Sequence, residues 1–165
     1  MTGALSNKVV IVTGAAGGIG HGASLVLARA GVRLVLTDVA AEGGEAAAAE
    51  GGGEGGDAIF VPADLASESD IAALVDKSVR HYGRLDGAFN NAGVEQRGKP
   101  LDELSLDEWN RAIAIDLTAV FLCIKYQVRA MLASGGGAIV NTASSLGQVA
   151  IAGASEYVAA KHGVV

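Results

Sequence analysis

Apolar residues in this chain recur in two alternating patterns. The segments 8–13, 32–37, 58–61, 85–89 and 138–142 carry short, nearly continuous apolar runs and end beside Thr, Asp, Asn or Pro. That length, bounded by turn residues, predicts five strands, and the run Val9-Val10-Ile11-Val12 predicts a fully buried one. Between the strands apolar residues return every three or four positions, as Ile71, Leu74, Val75 and Val79 do. One face of a helix has that period. Helices are therefore expected over 19–30, 40–50 and 106–132, after Ser67, and from Ser155 onward. Ser67 can cap the helix that follows it, with Asp70 in its first turn. Ser105 and Glu108 form a capping box for the long one, Gly31 is placed to end the first, and Gly135 to Gly137 break the long one. Strands alternating with helices imply right-handed βαβ units and a parallel sheet. No internal repeat or linker divides the chain, so 1–165 is expected to be a single domain.

Composition narrows the setting. Half of the 165 residues are hydrophobic and only 18% are charged, enough for one sizeable core. No apolar run reaches the roughly 18 residues that a membrane span needs. The N-terminus shows no basic region followed by an apolar stretch. Cys123, the single cysteine, falls within a helical pattern as a packed thiol, and no disulfide or zinc spacing exists. These features predict a cytoplasmic protein with no membrane partner and no metal. With a net charge of −6 and no Lys/Arg cluster, a nucleic-acid partner is not expected. The low-complexity segment 51–56, five of its six residues glycine, is expected to be a helix end and a flexible surface loop.

The candidate chemistry begins at the first turn, Thr13-Gly14-Ala15-Ala16-Gly17-Gly18-Ile19-Gly20. A strand, a Gly-rich turn and a helix N-terminus are the parts of a phosphate site, because backbone N–H groups can approach an anion and the helix dipole favours it; the alternative is a tight turn that merely needs glycines. Asp38 closes the second strand, where a carboxylate can accept from the ribose hydroxyls of NAD and would repel the 2′-phosphate of NADP. No Arg or Lys in 15–22 offsets it. Asp64 follows the third strand, where it either meets the adenine, with Leu65 beside it, or serves as a turn residue leading to the next helix. Tyr157 and Lys161 are four apart and share a helix face. An ammonium there stabilises a phenolate and lowers the tyrosine pKa from near 10. Ser144 lies thirteen residues earlier, after a strand, where its hydroxyl can hold a substrate oxygen.

The turn Thr13 to Gly20, the string Asn90-Asn91-Ala92-Gly93, Ser144 and Tyr157-Val158-Ala159-Ala160-Lys161 resemble, in order and spacing, the motifs of the short-chain dehydrogenase/reductase family. The resemblance spans nearly the whole chain. It implies an α/β, doubly wound parallel sheet of Rossmann type, with NAD bound by Gly14, Gly18, Ile19, Gly20, Asp38, Asp64, Leu65, Asn91, Ala92, Gly93, Tyr157 and Lys161, and with Asn90 supporting the cofactor side of the sheet. It implies NAD-dependent oxidation of a secondary alcohol or reduction of a ketone, with Ser144 anchoring the substrate oxygen, Tyr157 as general acid/base and Lys161 tuning it. Gln148, Val149, Ala150 and residues 95–97 would face the substrate. The mostly small, apolar loop after Ser144 points to a hydrophobic or alicyclic alcohol. The helices from Leu106 and Ser155 resemble subunit-contact helices, which implies a homo-oligomer, a dimer or tetramer.

Three features depart from the family. Asp116 stands where asparagine is usual, in Asp116-Leu117-Thr118-Ala119-Val120-Phe121, and is a candidate catalytic residue that adds charge and loses an amide donor. His21 follows Gly20, where a longer or basic side chain is common, and is expected to be structural. The chain also stops four residues after Lys161, before the sixth strand that two βαβαβ halves require. It is therefore expected to be a C-terminally truncated member that folds poorly or associates when alone. The rival reading is a non-catalytic nucleotide-binding or interaction protein derived by such truncation.

Overall fold

The structure, a computed structural model, describes residues 3–53, 56–95 and 98–165. Five parallel strands form one sheet: β1 (Val9–Thr13), β2 (Arg33–Thr37), β3 (Asp57–Phe60), β4 (Gly87–Asn90) and β5 (Ala138–Asn141), in the order β3-β2-β1-β4-β5. Four lie within a residue of their expected bounds, and β4 begins two residues later than expected, at Gly87. β1 is central, with Val10 opposite both Leu34 of β2 and Gly87 of β4. Val9, Ile11, Val12, Leu34, Val35 and Leu36 are fully buried. Helices cover both faces of such a sheet, so its inner strands are apolar throughout rather than alternating.

On one face α1 (Gly18–Arg29) and α2 (Ala41–Gly53) pack over β1 and β2 through Ala28, Ala47 and Ala48. On the other, α3 (Glu68–Tyr82) and α5 (Ala119–Ala133) enclose Ile71, Leu74, Leu122 and Met131. The Ser67 hydroxyl accepts from the Asp70 N–H at the start of α3, and Ser105 with Glu108 completes a capping box on α4 (Leu106–Ile113). Cys123 is buried, and burial pushes its thiol up to about 12, so it packs as an inert apolar group.

Two elements differ from expectation. α2 does not stop at Glu50 but continues through Gly53; Gly51 is buried on the side of the helix toward Ala58 and Ala28, where a Cβ would stand 3.4 Å and 3.9 Å from their methyls. Of the low-complexity segment, Glu54 and Gly55 lie outside the described residues. The long helix is interrupted: a π turn, Ala114–Thr118, joins α4 to α5. His21 hydrogen-bonds Glu50, with Nε2 2.9 Å from Oε2, tying α1 to α2. Among the described residues no helix is long and apolar enough to cross a membrane, and no group of His, Cys, Asp or Glu could hold a metal ion.

The order reverses between β1 and β4, and the ends of those strands form the crevice where doubly wound sheets bind ligands. The opposite side carries an apolar hollow of about 840 Å³ over β4 and β5, lined by Val26, Leu27, Phe89 and Val140. Val26 and Val140 remain 64% and 59% exposed there.

Candidate active site

The Gly-rich turn is built by close approach. Gly14 has φ +68°, and a Cβ there would stand 2.9 Å from the Ala92 α-carbon. A Cβ on Gly20 would stand 2.1 Å from the Gly14 carbonyl oxygen, so the first turn of α1 lies directly on the loop before it. Thr13 staples this loop to the next one: its hydroxyl accepts from the Asn91 N–H at 2.9 Å and the Ala92 N–H at 3.0 Å. The Asn91 side chain donates to the Thr13 carbonyl and accepts from Thr142 Oγ1. The ends of β1, β4 and β5 are thereby locked together.

Asp38 sits at the end of β2. Its Oδ2 accepts from the Ala16 N–H and its Oδ1 from the Ala40 N–H, both at 3.0 Å. The carboxylate therefore fixes the Gly-rich turn and keeps acceptor capacity on each oxygen. A cavity of about 400 Å³ opens beside it, lined by Gly14, Asp38, Asp64, Leu65, Ala92 and Gly93 among others. Asp64 is exposed at its mouth and also holds the turn into α3, accepting from the Ala66 N–H. Asp64 thus has the turn role, and it also lines the cavity. Gly18 is exposed at the start of α1; Ile19 is 68% exposed and lines the apolar hollow instead of this cavity. Arg111 of α4 reaches the cavity wall, a cation that the motif spacing did not reveal.

A second cluster adjoins the first through Gly93. Lys161 and Tyr157 lie on α6 (Ser155–Val164), which packs against the π turn and against a short 3₁₀ turn, Ser145–Gly147. Gly147 is buried where a Cβ would meet the Lys161 carbonyl at 2.7 Å. Ser144 caps that 3₁₀ turn, its Oγ accepting from the Leu146 N–H at 3.1 Å. Gln148, Val149 and Ala150 follow it and are exposed, as is Glu95. Gln96 and Arg97 lie outside the described residues.

Lys161 is only 3% exposed. Its Nζ donates to the Thr142 carbonyl at 3.0 Å, lies 5.5 Å from the Tyr157 ring centre and stands 3.8 Å from Asp116 Oδ1. Burial lowers the Lys161 pKa, and the Asp116 charge works against that. Asp116 is fully buried in the π turn; its Oδ1 accepts from the Val94 N–H at 3.0 Å and its Oδ2 has no hydrogen-bond partner among the described residues. Burial raises its pKa, the Val94 N–H and Lys161 oppose the rise, and the Glu156 charge adds to it. A Cβ on Gly93 would stand 2.6 Å from Asp116 Oδ1, so only glycine leaves room for the acid.

Asn90 has a structural part. Its amide donates to Gln127 Oε1 and Asn141 Oδ1 and accepts from Gln127 Nε2, joining β4 to α5 and β5 inside the core. Gln127 was legible as a polar residue one turn from both Cys123 and Met131 on a buried stripe, and such a residue needs a partner. Thr142, which positions both Asn91 and Lys161, carries no comparable signal.

Residues 8–165 match the short chain dehydrogenase family. Over 162 residues the chain is 44% identical to 2,5-dichloro-2,5-cyclohexadiene-1,4-diol dehydrogenase of Sphingobium indicum, covering 98% of this chain and 64% of that one. Over 164 residues it is 44% identical to cyclohexanol dehydrogenase of an Acinetobacter species, covering 99% and 65%. The crystal structure of NAD⁺-bound xylitol dehydrogenase is similar at a TM-score of 0.94 and 34% identity, covering 98% of this chain and 62% of that one. The chain thus spans a little under two thirds of the length of these relatives.

Proposed function

The chain belongs to the short chain dehydrogenase family, and on that premise we propose that it serves the NAD-dependent interconversion of a secondary alcohol and a ketone. The observation that carries the reading is the burial of Lys161 beside Tyr157, with its ammonium held by the Thr142 carbonyl just after β5. The cradle fits a dinucleotide. Gly14 and Gly20 let the turn fold tightly on itself, a Cβ at Gly17 or Gly18 would meet only open space where an anion can approach, and Asp38 faces the adjoining cavity with acceptors to spare.

In this reading Gly14, Gly18, Ile19 and Gly20 hold the pyrophosphate side. Asp38 takes the adenosine ribose, and Asp64, Leu65, Asn91, Ala92 and Gly93 bound the adenosine and the path toward the second cluster. When bound, the dinucleotide supplies hydride exchange with the substrate carbon. Ser144 anchors the substrate oxygen. In oxidation the Tyr157 phenolate takes the hydroxyl proton as hydride leaves the carbon; in reduction the phenol returns it. Lys161 favours the phenolate by its charge. Asp38 favours NAD over NADP. The substrate class is an alicyclic secondary alcohol, supported by the apolar loop after Ser144 and by the names of the two relatives above. A homo-oligomer through the long helix is supported by Phe121, Val128 and Leu132, large apolar side chains left exposed on α5.

The test is Tyr157→Phe, assayed by NADH absorbance on a panel of cyclic alcohols with dinucleotide titration alongside. Turnover should fall by a factor of about 10² or more, the typical worth of acid–base help, while NAD binding stays unchanged. Substantial turnover in the variant would overturn the assignment of Tyr157.

A further inference from the structure

Asparagine would give the position of residue 116 an uncharged amide; this chain gives it an acid. The acid is enclosed on every side. It is fully buried, it accepts one backbone N–H, from Val94, and its second oxygen has no hydrogen-bond partner among the described residues. The cation within reach is Lys161, with Nζ 3.8 Å away and itself 3% exposed. That same Nζ lies over the Tyr157 ring.

From this arrangement we infer that Asp116 is a positioning residue and the counter-ion of Lys161, and that it sets the pH at which Tyr157 gives up its proton. The inference rests on the reading of Tyr157 as the acid/base. An isolated ammonium beside a phenol favours the phenolate. A carboxylate on the other side of the ammonium offsets that charge, so the phenol keeps its proton to higher pH than it would beside an unpaired lysine. The buried setting makes the offset matter, since solvent screens such pairs little.

Of the other charged groups around α6, Glu156 is the one that enters this balance, since its charge acts on Asp116. The π turn presents Asp116. The 3₁₀ turn Ser145–Gly147 carries no ionisable side chain. On α4, Glu108 binds Lys99, and Arg111 lines the cavity beside Asp38. α6 itself adds Tyr157, the buried Glu156, whose charge acts on Asp116, and His162, exposed and bonded to the Val158 carbonyl.

The test reads the tyrosine directly and needs no cofactor. Ultraviolet tyrosinate titration of the full chain, with the Tyr157→Phe spectrum subtracted, isolates Tyr157 from Tyr82 and Tyr126. Tyr82 is also held well above the ordinary phenol range by burial and by Asp57. Asp116→Asn should lower the Tyr157 midpoint by about half a pH unit or more, the lower side of what a nearby charge does. Asp116→Ser, which also removes the charge, should do the same; circular dichroism shows which variants are folded, and one folded variant decides. In an active preparation the acidic limb of the kcat/KM profile should move down with it. An unchanged or raised midpoint overturns the inference, even when Tyr157→Phe is inactive. Turnover surviving in Tyr157→Phe removes instead the reading beneath it.

Discussion

Asp86 offers a quantitative test of what ties the sheet together. It stands just before β4, at the end of the sheet away from the candidate site, and its side chain is 7% exposed. Lys8 Nζ donates to one oxygen at 3.1 Å, while the Val9 N–H at 3.0 Å and Arg84 Nε at 2.7 Å donate to the other. It thus joins the start of β1 to the start of β4. Burial alone would raise the carboxyl pKa, but Arg84, the Val9 N–H and Lys8 together hold it at about 2, against an ordinary 3.8. A shift of that size corresponds to roughly 2 kcal/mol of stability. Lys8 and Arg84 are 45% and 44% exposed, so solvent screening trims this to about 1–2 kcal/mol. Asp86→Asn keeps the shape and removes the charge. The folded-state pKa is the depressed one, so the contribution is fully present above the unfolded value and disappears as pH falls through about 2. Urea unfolding at pH 7 should show the variant about 1–2 kcal/mol less stable, the gap should close between pH 4 and pH 2, and NAD binding should not change. Equal stability at pH 7, or a gap that persists undiminished at pH 2, would refute this account of Asp86.

Gly20→Ala should weaken NAD binding at least about tenfold and destabilise the fold by about 1–3 kcal/mol, because the new methyl would sit 2.1 Å from the Gly14 carbonyl oxygen. NADH fluorescence titration and urea unfolding check it, and unchanged binding would mean that the turn does not hold the pyrophosphate. Asp38→Ala should lower NAD affinity and raise NADP affinity, narrowing the preference by about tenfold, as expected from removing one charge near a phosphate and one acceptor for a ribose hydroxyl. Titration of both dinucleotides measures the ratio, and a ratio that does not move places Asp38 away from the ribose.

The strands were legible because β1 and β2 are buried on both faces and so are apolar along nearly all their length. Their caps and turns were legible because Ser67, Ser105 and Gly14 act on neighbours a few residues away. The run to Gly53 in α2 was not. A glycine in a helix costs about 1 kcal/mol relative to alanine, which argues for an end at Glu50. What the local preference does not register is that Gly51 is buried on the side of α2 toward Ala28 and Ala58, residues from elsewhere in the chain.

The π turn was hidden for a different reason. Buried positions 112, 116 and 120 are spaced by four, but so are 119, 123, 127 and 131 in α5, where the helix is regular. Spacing therefore carries no mark of the extra residue. The mark is chemical: Asp116 is an acid on a stripe whose other members are apolar or, at Gln127, fully hydrogen-bonded. An acid there is tolerable only beside a donor and a cation. Both come from remote segments, the Val94 N–H after β4 and Lys161 after β5. They meet because β1, β4 and β5 are adjacent and parallel, so that the loops leaving their ends must converge. The same convergence puts Thr13 on Asn91 and Thr142 on both Asn91 and Lys161. Single motifs along the chain name the candidate groups. Only the strand order determines which of them can exchange charge or protons, and here that order places a carboxylate behind the lysine that faces the tyrosine.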